Sequence, residues 1–349
     1  MAIEVLRRGT IDDRGSAFPQ AAELDDGSLI CAYSNTGGQF ASGGTDWARS
    51  ANGTDWHVEG TLLPASDDPP STNFLKASRS VDGATLFAYG ARSSQVGDLK
   101  FGDRWSEAIV CTSHDQGRSW TEPAVISMPT TALEISHGIL AVSAERLLAP
   151  AATIEPDKLG ERVILAISDD AGATWARVVT AMQDPAGLLG YLEQKLALLP
   201  DGRVLATAWT VTLDGLVDQP NSFAVSCDGG DTWSAPSSMG IMGQTLSVAG
   251  LDDGRFLIVY NRRYGRQGIV AALAHLDGNV WTVETETLLH DAHREREERL
   301  HDEGVTEMLD FEFGFPTIVA RNDGTHLITY WAVLDGRCGV RSVVVQITP

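Results

Sequence analysis

The chain has few basic residues. Among its 349 residues, 26 Lys and Arg stand against 47 Asp and Glu, which gives a formal net charge of −21. A nucleic-acid backbone requires a basic surface to neutralise its phosphates, so this balance argues against a nucleic-acid partner. It also disfavours binding of long polyanions, unless a locally basic pocket overrides the mean field.

Long apolar runs and cysteine motifs are also missing. No apolar stretch approaches the about 18 residues of a membrane-spanning helix, and the first residues lack the basic-then-apolar pattern of a secretory leader. The four Cys are scattered without a Cys-x-x-Cys pair, and neither a glycine-rich phosphate loop nor a zinc signature occurs. We therefore expect a cytoplasmic protein with reduced thiols, no membrane partner, no cofactor and no catalytic metal.

A phrase of the form Ser-x-Asp-x-Gly-x-(Ser/Thr)-Trp recurs at residues 113–120, 168–175 and 226–233. A shortened relative occupies residues 50–56. Asp accepts hydrogen bonds from nearby backbone amides and Gly tolerates positive φ, so the phrase predicts a tight hairpin turn. Because each full copy lies between two β-rich runs, the sequence predicts a repeat protein built from β-hairpins.

A second repeat alternates with the first and consists of an apolar run, an Asp-Gly turn and another apolar run. Its turns centre on Gly27, Gly83, Gly202, Gly254 and Gly324, and a sixth copy around Arg146 lacks Asp-Gly. Each unit then holds two hairpins, or four antiparallel strands. Six such units predict an all-β fold, a single six-bladed β-propeller over residues 1–349. Residues 3–6 are expected to close the ring as the outermost strand of blade six.

Residues 288–310 depart from the repeat. Their interleaved Glu, Arg and His predict a short exposed helix or a loop that precedes the sixth inner strand and forms a lid or wall over the pocket. His290 and His293 lie three apart among Arg residues, so we do not expect a metal site there.

With six blades and this turn phrase, known as the Asp box, the chain resembles the sialidase superfamily. The resemblance implies that the boxes are rim turns without chemistry. It also implies that the site lies on the propeller axis, at the end where the innermost strands begin. Sialidases bind the substrate carboxylate with three Arg and attack with a Tyr that a Glu activates.

The residues that the resemblance aligns with this apparatus are only partly retained. The first Arg falls on Ala17, the second falls near Trp209, and the third falls on Arg262 or Arg266. The nucleophilic Tyr falls on Phe315, and a phenyl ring cannot form a covalent glycosyl intermediate. The resemblance therefore implies a sialidase-like fold whose substrate is not sialic acid.

Hydrolysis of a glycoside usually needs two carboxyl groups, one protonated and one ionised. The related exo-arabinanase propellers use two Glu. Here Glu193, at the position of the sialidase Glu, opens the inner strand of blade four, and Glu134 opens that of blade three. Apolar neighbours would raise the pKa of one of them for an acid role. We predict Glu193, as nucleophile or general base, together with Glu134 and Asp46 as catalytic residues.

The candidate substrate-binding residues lie near the starts of the inner strands or in the loops next to them. They are Arg92, His137, Tyr191, Trp209, Arg262, Arg266, Glu312 and Phe315. The aromatic rings, with Trp47 and Phe313, either stack on sugars or pack the core. His137 either orients a carboxylate or acts as a base, and Arg92 either binds a uronate or pairs with a neighbouring acid.

These residues predict a glycoside hydrolase that acts on an exposed sugar residue of a glycan. Two alternatives stay open. One is a carbohydrate-binding propeller without catalysis, and the other is a polysaccharide lyase that uses His137 or a Tyr as the base on a uronate. Fold alone does not decide among them, and all three have a carbohydrate as the partner.

Overall fold

The computed structural model describes residues 2–94, 105–156, 158–296 and 311–348, with the side chains of residues 294–296 excepted. The described residues form six antiparallel β-sheets, which are the predicted blades. One short 3₁₀ helix, Gly38–Phe40, is present among them. No helix in these ranges is long and apolar enough to cross a membrane.

Blade one has four strands, and blades two and three have five each. Blade one contains β2 (Ala17–Glu23), β3 (Leu29–Ser34), β4 (Thr45–Ser50) and β5 (Trp56–Leu63), after the N-terminal strand β1 (Ala2–Asp12). Blade two contains β6 (Ser66–Asp67), β7 (Pro70–Arg79), β8 (Leu86–Ser94), β9 (Ser106–Ser113) and β10 (Ala124–Ile126). Blade three contains β11 (Leu133–Glu134), β12 (Leu140–Ala141), β13 (Leu147–Glu155), β14 (Lys158–Ser168) and β15 (Arg177–Gln183).

The last three blades have four strands each. Blade four contains β16 (Leu189–Leu198), β17 (Val204–Thr212), β18 (Asp218–Ser226) and β19 (Ser237–Ser238). Blade five contains β20 (Leu246–Gly250), β21 (Phe256–Arg262), β22 (Gly265–Asp277) and β23 (Val280–Arg296). Blade six contains β24 (Phe313–Ala320), β25 (His326–Leu334), β26 (Arg337–Thr348) and, as its fourth strand, β1.

The N-terminal strand closes the ring, as the sequence predicts. β1 pairs antiparallel with β26, from Ala2 opposite Thr348 to Asp12 opposite Val340. The predicted six-bladed propeller of antiparallel sheets, closed by the N-terminal strand, is therefore confirmed.

Apolar side chains fill the space between successive blades around the ring. Between blades four and five, Phe223 packs edge-on against Trp281. Between blades six and one, Leu29 and Tyr33 share a core with Leu327 and Val344. Burial of these strand faces is the main stabilisation of each pair of blades, because both blades remove apolar surface from contact with water.

The connections divide the propeller into two ends. The inner strands run from the end that we call the loop end to the end that we call the turn end. Both the Asp-Gly turns and the Asp boxes lie at the turn end. In the box of blade two, the Ser113 hydroxyl donates to Asp115 Oδ1 over 2.8 Å and accepts from Gly117 N–H over 2.9 Å. Gly117 has φ of 82°, which explains the Gly in the repeated phrase.

The prediction for residues 288–310 is wrong in its first part. Residues up to Arg296 continue strand β23 and pair with β22 instead of forming a helix or loop. An antiparallel partner is available there because β22 extends to Gly265. The rest of the predicted lid, residues 297–310, lies outside the described residues.

Candidate active site

Three inner strands share one irregularity at the loop end. The pairing register breaks between Ala17 and Gln20 in blade one, between Leu192 and Lys195 in blade four, and between Gly314 and Thr317 in blade six. The residue that follows the start of each break lies in the left-handed region, at φ values of 55° for Phe18, 48° for Glu193 and 55° for Phe315. Non-glycine residues adopt this conformation only where their surroundings hold them, and such positions cluster at functional sites.

The surroundings of Glu193 include the second predicted carboxyl group. The Glu193 N–H donates to Glu134 Oε2 over 2.9 Å, and the Ser136 hydroxyl donates to Glu134 Oε1. The Thr245 hydroxyl donates to Glu193 Oε2. Glu134 is buried, whereas Glu193 is partly exposed. The structure therefore brings Glu134 and Glu193 together, and of the two it is Glu193 that solvent or a ligand reaches.

Three buried cations surround this pair, and the sequence analysis missed all of them. They are Lys76 on the inner strand of blade two, Lys195 two residues after Glu193, and Arg263 at the end of β21. Their exposed fractions are 0%, 2% and 5%. A Lys placed inside an apolar run, as in Phe74-Leu-Lys76-Ala, is the signal that could have identified the first of them.

Burial and mutual charge shift the pKa values of this cluster. Burial, followed by the nearby charge of Glu134, raises the pKa of Glu193 to about 7. Burial also raises the pKa of Glu134. Burial lowers the pKa of Lys195 to about 7 and lowers that of Lys76. A carboxyl group whose pKa lies near neutral pH is suited to proton transfer.

His137 lies beside the carboxyl pair. Its Nδ1 donates to the Gly138 carbonyl over 2.9 Å, which leaves Nε2 as the hydrogen-bond acceptor of the ring. Burial, and then the charge of Lys195, lowers the pKa of His137 to about 3. The imidazole is therefore neutral at physiological pH and is a weak base.

The third predicted acid, Asp46, belongs to a different cluster. Asp46 Oδ1 accepts from Asn35 over 2.9 Å and from Thr61 over 2.8 Å, and Oδ2 accepts from Arg14 over 3.0 Å. None of the contacts found in the described part of the chain joins Asp46 to Glu134 or Glu193. The structure does not bring Asp46 to the carboxyl pair because β4 is the third strand of blade one.

The three predicted Arg residues pair with acids of their own blades. Arg92 donates to Glu107, Arg262 donates to Glu286 over 3.1 Å, and Arg266 donates to Asp291. The axial Arg is instead Arg263, which lies between two of the predicted positions. Arg263 lies just after the last residue of β21, and its guanidinium group donates to Gln244 and to the Phe313 carbonyl instead of to an acid of its own blade.

Most of the predicted aromatic residues are buried. Tyr191 is 1% exposed and packs between blades three and four. Trp209 is 2% exposed, and its indole N–H donates to Asp218 over 2.7 Å. Trp47 is 8% exposed in the core between blades one and two. Tyr191 and Trp209 pack the protein, and Trp47 both packs the core and lines a groove away from the axis.

Two further predicted residues lie on the inner strand of blade six or just before it. Phe315 is buried, and its ring meets that of Phe18 edge-on at 5.2 Å between centroids. Glu312 is partly exposed next to buried Phe313.

A groove of about 770 Å³ lies at the other end of the molecule, between blades one and two. Its lining includes Arg49, Glu59 and Trp120. None of the axial residues contributes to it, so the groove is separate from the carboxyl pair.

Comparison with solved structures supports the fold. A protein of unknown function from Dyadobacter fermentans DSM 18053 has a TM-score of 0.75 and 20% identity, with 99% of each chain covered. The intramolecular trans-sialidase of Ruminococcus gnavus has a TM-score of 0.68 and 14% identity, with 97% of each chain covered. An α-L-arabinanase of Penicillium chrysogenum has a TM-score of 0.68 and 14% identity, with 98% of each chain covered.

These identities show a common fold, and the similar structures include glycoside hydrolases. A comparison with curated protein sequences finds no match. The BNR repeat-like domain family matches residues 47–328, which is well over half of the chain. The chain therefore belongs to the BNR repeat-like domain family.

Proposed function

We propose that the protein is a glycoside hydrolase that removes an exposed sugar residue, other than sialic acid, from a glycan or oligosaccharide. Glu193 transfers the proton and Glu134 is the ionised partner. The observation that carries this proposal is the hydrogen bond from Glu193 N–H to Glu134 Oε2, at 2.9 Å. It joins two carboxyl-bearing residues at the starts of neighbouring inner strands, which is where propellers of this superfamily bind substrate.

The raised pKa of Glu193 supports its role as the general acid. With a pKa of about 7, a large fraction of Glu193 is protonated at neutral pH and can donate to the leaving oxygen. The deprotonated side chain then accepts a proton from the water that attacks the sugar, which restores Glu193 and is the general-base role predicted from the sequence.

Glu134 suits the complementary role. Burial raises its pKa, but the hydrogen bond from Glu193 N–H and the charges of Lys76 and Lys195 oppose this shift and favour the ionised form of the carboxyl group. An ionised Glu134 stabilises the positive charge that develops on the sugar ring in the transition state.

The lyase alternative has less support. A lyase needs a base strong enough to remove a proton next to a uronate carboxylate, and the pKa of His137 is lowered to about 3. The binding-only alternative has no observation in its favour beyond the fold itself.

The test is a screen of aryl glycosides with three proteins. Wild type should hydrolyse at least one non-sialic aryl glycoside and leave an aryl sialoside intact. Glu193→Gln keeps the shape of the side chain but cannot exchange the proton, so kcat should fall by at least about 1,000-fold. Glu4→Gln changes an exposed Glu on β1 and should retain full activity.

Three outcomes would contradict the proposal. A folded Glu193→Gln protein that keeps more than about a tenth of the activity excludes Glu193 as the proton donor. Ultraviolet absorbance of unsaturated uronates in the products identifies a lyase. Carbohydrate binding without turnover of any substrate leaves only the binding protein.

A further inference from the structure

The ammonium groups of the two axial lysines, Lys76 and Lys195, bind to carbonyl oxygens and aromatic rings of the protein itself. Lys76 Nζ donates to the carbonyls of Ile135 over 2.5 Å and Phe74 over 3.1 Å, and it lies 3.6 Å from the centroid of the Phe74 ring. Lys195 Nζ donates to the Ser136 carbonyl and lies 3.4 Å from the centroid of the Phe315 ring. Both side chains are almost completely buried. They hold the inner strands together and do not project toward a ligand.

Arg263 is engaged in the same way. Its Nε donates to Gln244 over 2.9 Å, and its Nη2 donates to the Phe313 carbonyl over 2.6 Å. The guanidinium group also lies 3.8 Å from the centroid of the Phe311 ring and 4.2 Å from that of Phe313. Among the described axial residues, each of the three cations therefore already has protein partners.

The partly exposed side chains at the axis have a different character. Phe18 of blade one and Phe74 of blade two are both partly exposed, with 5.5 Å between ring centroids. We call these two rings the phenyl wall. In the order of the ring, blade one lies directly across the axis from blade four, which carries Glu193, and blade two is the neighbour of blade one. A ligand that reaches Glu193 thus has a carboxyl group on one side and apolar rings on the other.

We propose that the axial site takes an uncharged sugar, packs one of its C–H faces on the phenyl wall, and rejects sugars that carry a carboxylate. This inference rests on the proposed function, because it assumes that a glycan binds at Glu193. Among the described residues no free cation would meet a carboxylate in this position, which would lose its water next to the acidic Glu134 and Glu193. A sugar C–H face, in contrast, buries apolar surface against the rings with no such penalty.

The experiment measures binding, so that it does not depend on turnover. Saturation-transfer NMR is recorded on Glu193→Gln with methyl β-D-glucopyranoside and methyl β-D-glucopyranosiduronate, which differ only in the carboxylate. The corresponding galactose pair and methyl α-L-arabinofuranoside are added. At least one neutral glycoside should bind through its ring C–H protons. If it has a carboxylate counterpart, that counterpart should bind at least about tenfold more weakly.

Variants of the phenyl wall test the contact itself. Phe18→Ala and Phe74→Ala, each added to Glu193→Gln, should weaken binding of the neutral sugar at least fivefold by the stacking that they remove. Phe18→Leu keeps most of the packing and guards against a variant that does not fold. Phe40→Ala removes an exposed ring of the 3₁₀ helix in blade one and should leave binding unchanged.

Each possible result supports or overturns the inference. Tighter binding of a uronate than of its neutral counterpart overturns it, as does the absence of binding by every neutral sugar. If neither Phe18→Ala nor Phe74→Ala weakens binding of the neutral sugar, the proposed contact with the phenyl wall is wrong. Turnover by wild type tests the proposed function separately. If a neutral sugar binds but no substrate is turned over, the proposed hydrolase activity is wrong and the inference about the uncharged sugar stands. If wild type hydrolyses an aryl glucuronide and no neutral aryl glycoside, the hydrolase activity stands and the inference is wrong.

Discussion

The two ends of the propeller satisfy their polar groups in different ways. Within the Asp boxes of the turn end the bonds are local, since Asp115 accepts from Ser113 and Ser119 of its own hairpin. At the loop end the bonds join different blades, since Glu134 and Glu193 lie 59 residues apart in the chain. Local bonds repeat with the sequence, whereas bonds between blades are made once. The turn end therefore maintains the fold, and the loop end is free to carry chemistry.

The largest effect on stability is expected from the loss of a buried charge at the loop end. Lys195→Met removes a buried cation whose charge acts on both Glu193 and Glu134, which leaves the two acids with less compensation. Removing the compensating charge from a buried cluster of this kind costs about 3 kcal/mol of unfolding free energy. Lys158→Met, in contrast, removes a cation whose side chain is 57% exposed and should change stability very little.

Denaturant unfolding at pH 7 measures both variants. Equal losses for the two would show that Lys195 contributes no more than a surface charge. Because both lysines lie at the loop end, the description of that end as held together by buried charges would then be wrong.

The next effect concerns the pH dependence of activity. Glu134→Gln keeps an acceptor for Glu193 N–H but removes the charge that, after burial, raises the pKa of Glu193. The pKa of Glu193 should therefore fall below about 7, while burial still holds it above its ordinary value. If Glu193 is the general acid, activity is lost as pH rises through that pKa, so the alkaline limb of kcat/KM should move to lower pH.

The pH profile of kcat/KM checks this shift. Glu145→Gln is the matched control, because it removes an exposed carboxylate from the turn end of the same blade. An unchanged limb in Glu134→Gln would mean that the two carboxyl groups do not interact. A shift to higher pH would mean that Glu193 is not the acid.

Particular residues show how far the sequence alone reached. The Ser, Asp and Gly of each box bond one another within four or five positions, so the phrase predicts its own turn. Glu134 and Glu193 were also found, because each opens an inner strand. Lys195 was missed for a physical reason. A Lys is rarely buried, so the sequence gives no reason to expect its ammonium group inside the protein, and the carbonyl that accepts from it belongs to Ser136 of the neighbouring blade.

Arg263 and Asp46 show that contacts between distant parts of the chain also decide which residues reach the axis. The sequence analysis predicted Arg262 or Arg266 at the axis, whereas the structure places Arg263 there, in the connection after β21. Asp46 lies at the correct end of blade one, yet Arg14, Asn35 and Thr61 take up its oxygens. These partners come from separate strands, and no local pattern announces them.

The smallest expected effect is at the turn end. Asp115→Ala removes bonds to Ser113 and Ser119 from one of the hairpins, so Tm should fall by no more than a few degrees and activity should not change. The hydroxyl of Ser119 is the main reason that the pKa of Asp115 is lowered to about 2 from 3.8. A lowered carboxyl pKa stabilises the fold above the ordinary value, and this contribution disappears as pH falls through about 2. The Tm difference between wild type and Asp115→Ala should thus be present at pH 5 and shrink toward pH 2. Differential scanning calorimetry measures it, with Asp13→Ala as a control at an exposed Asp of the loop end. Loss of activity in folded Asp115→Ala would show that the turn end takes part in the chemistry, because no stability effect of this size would remove turnover.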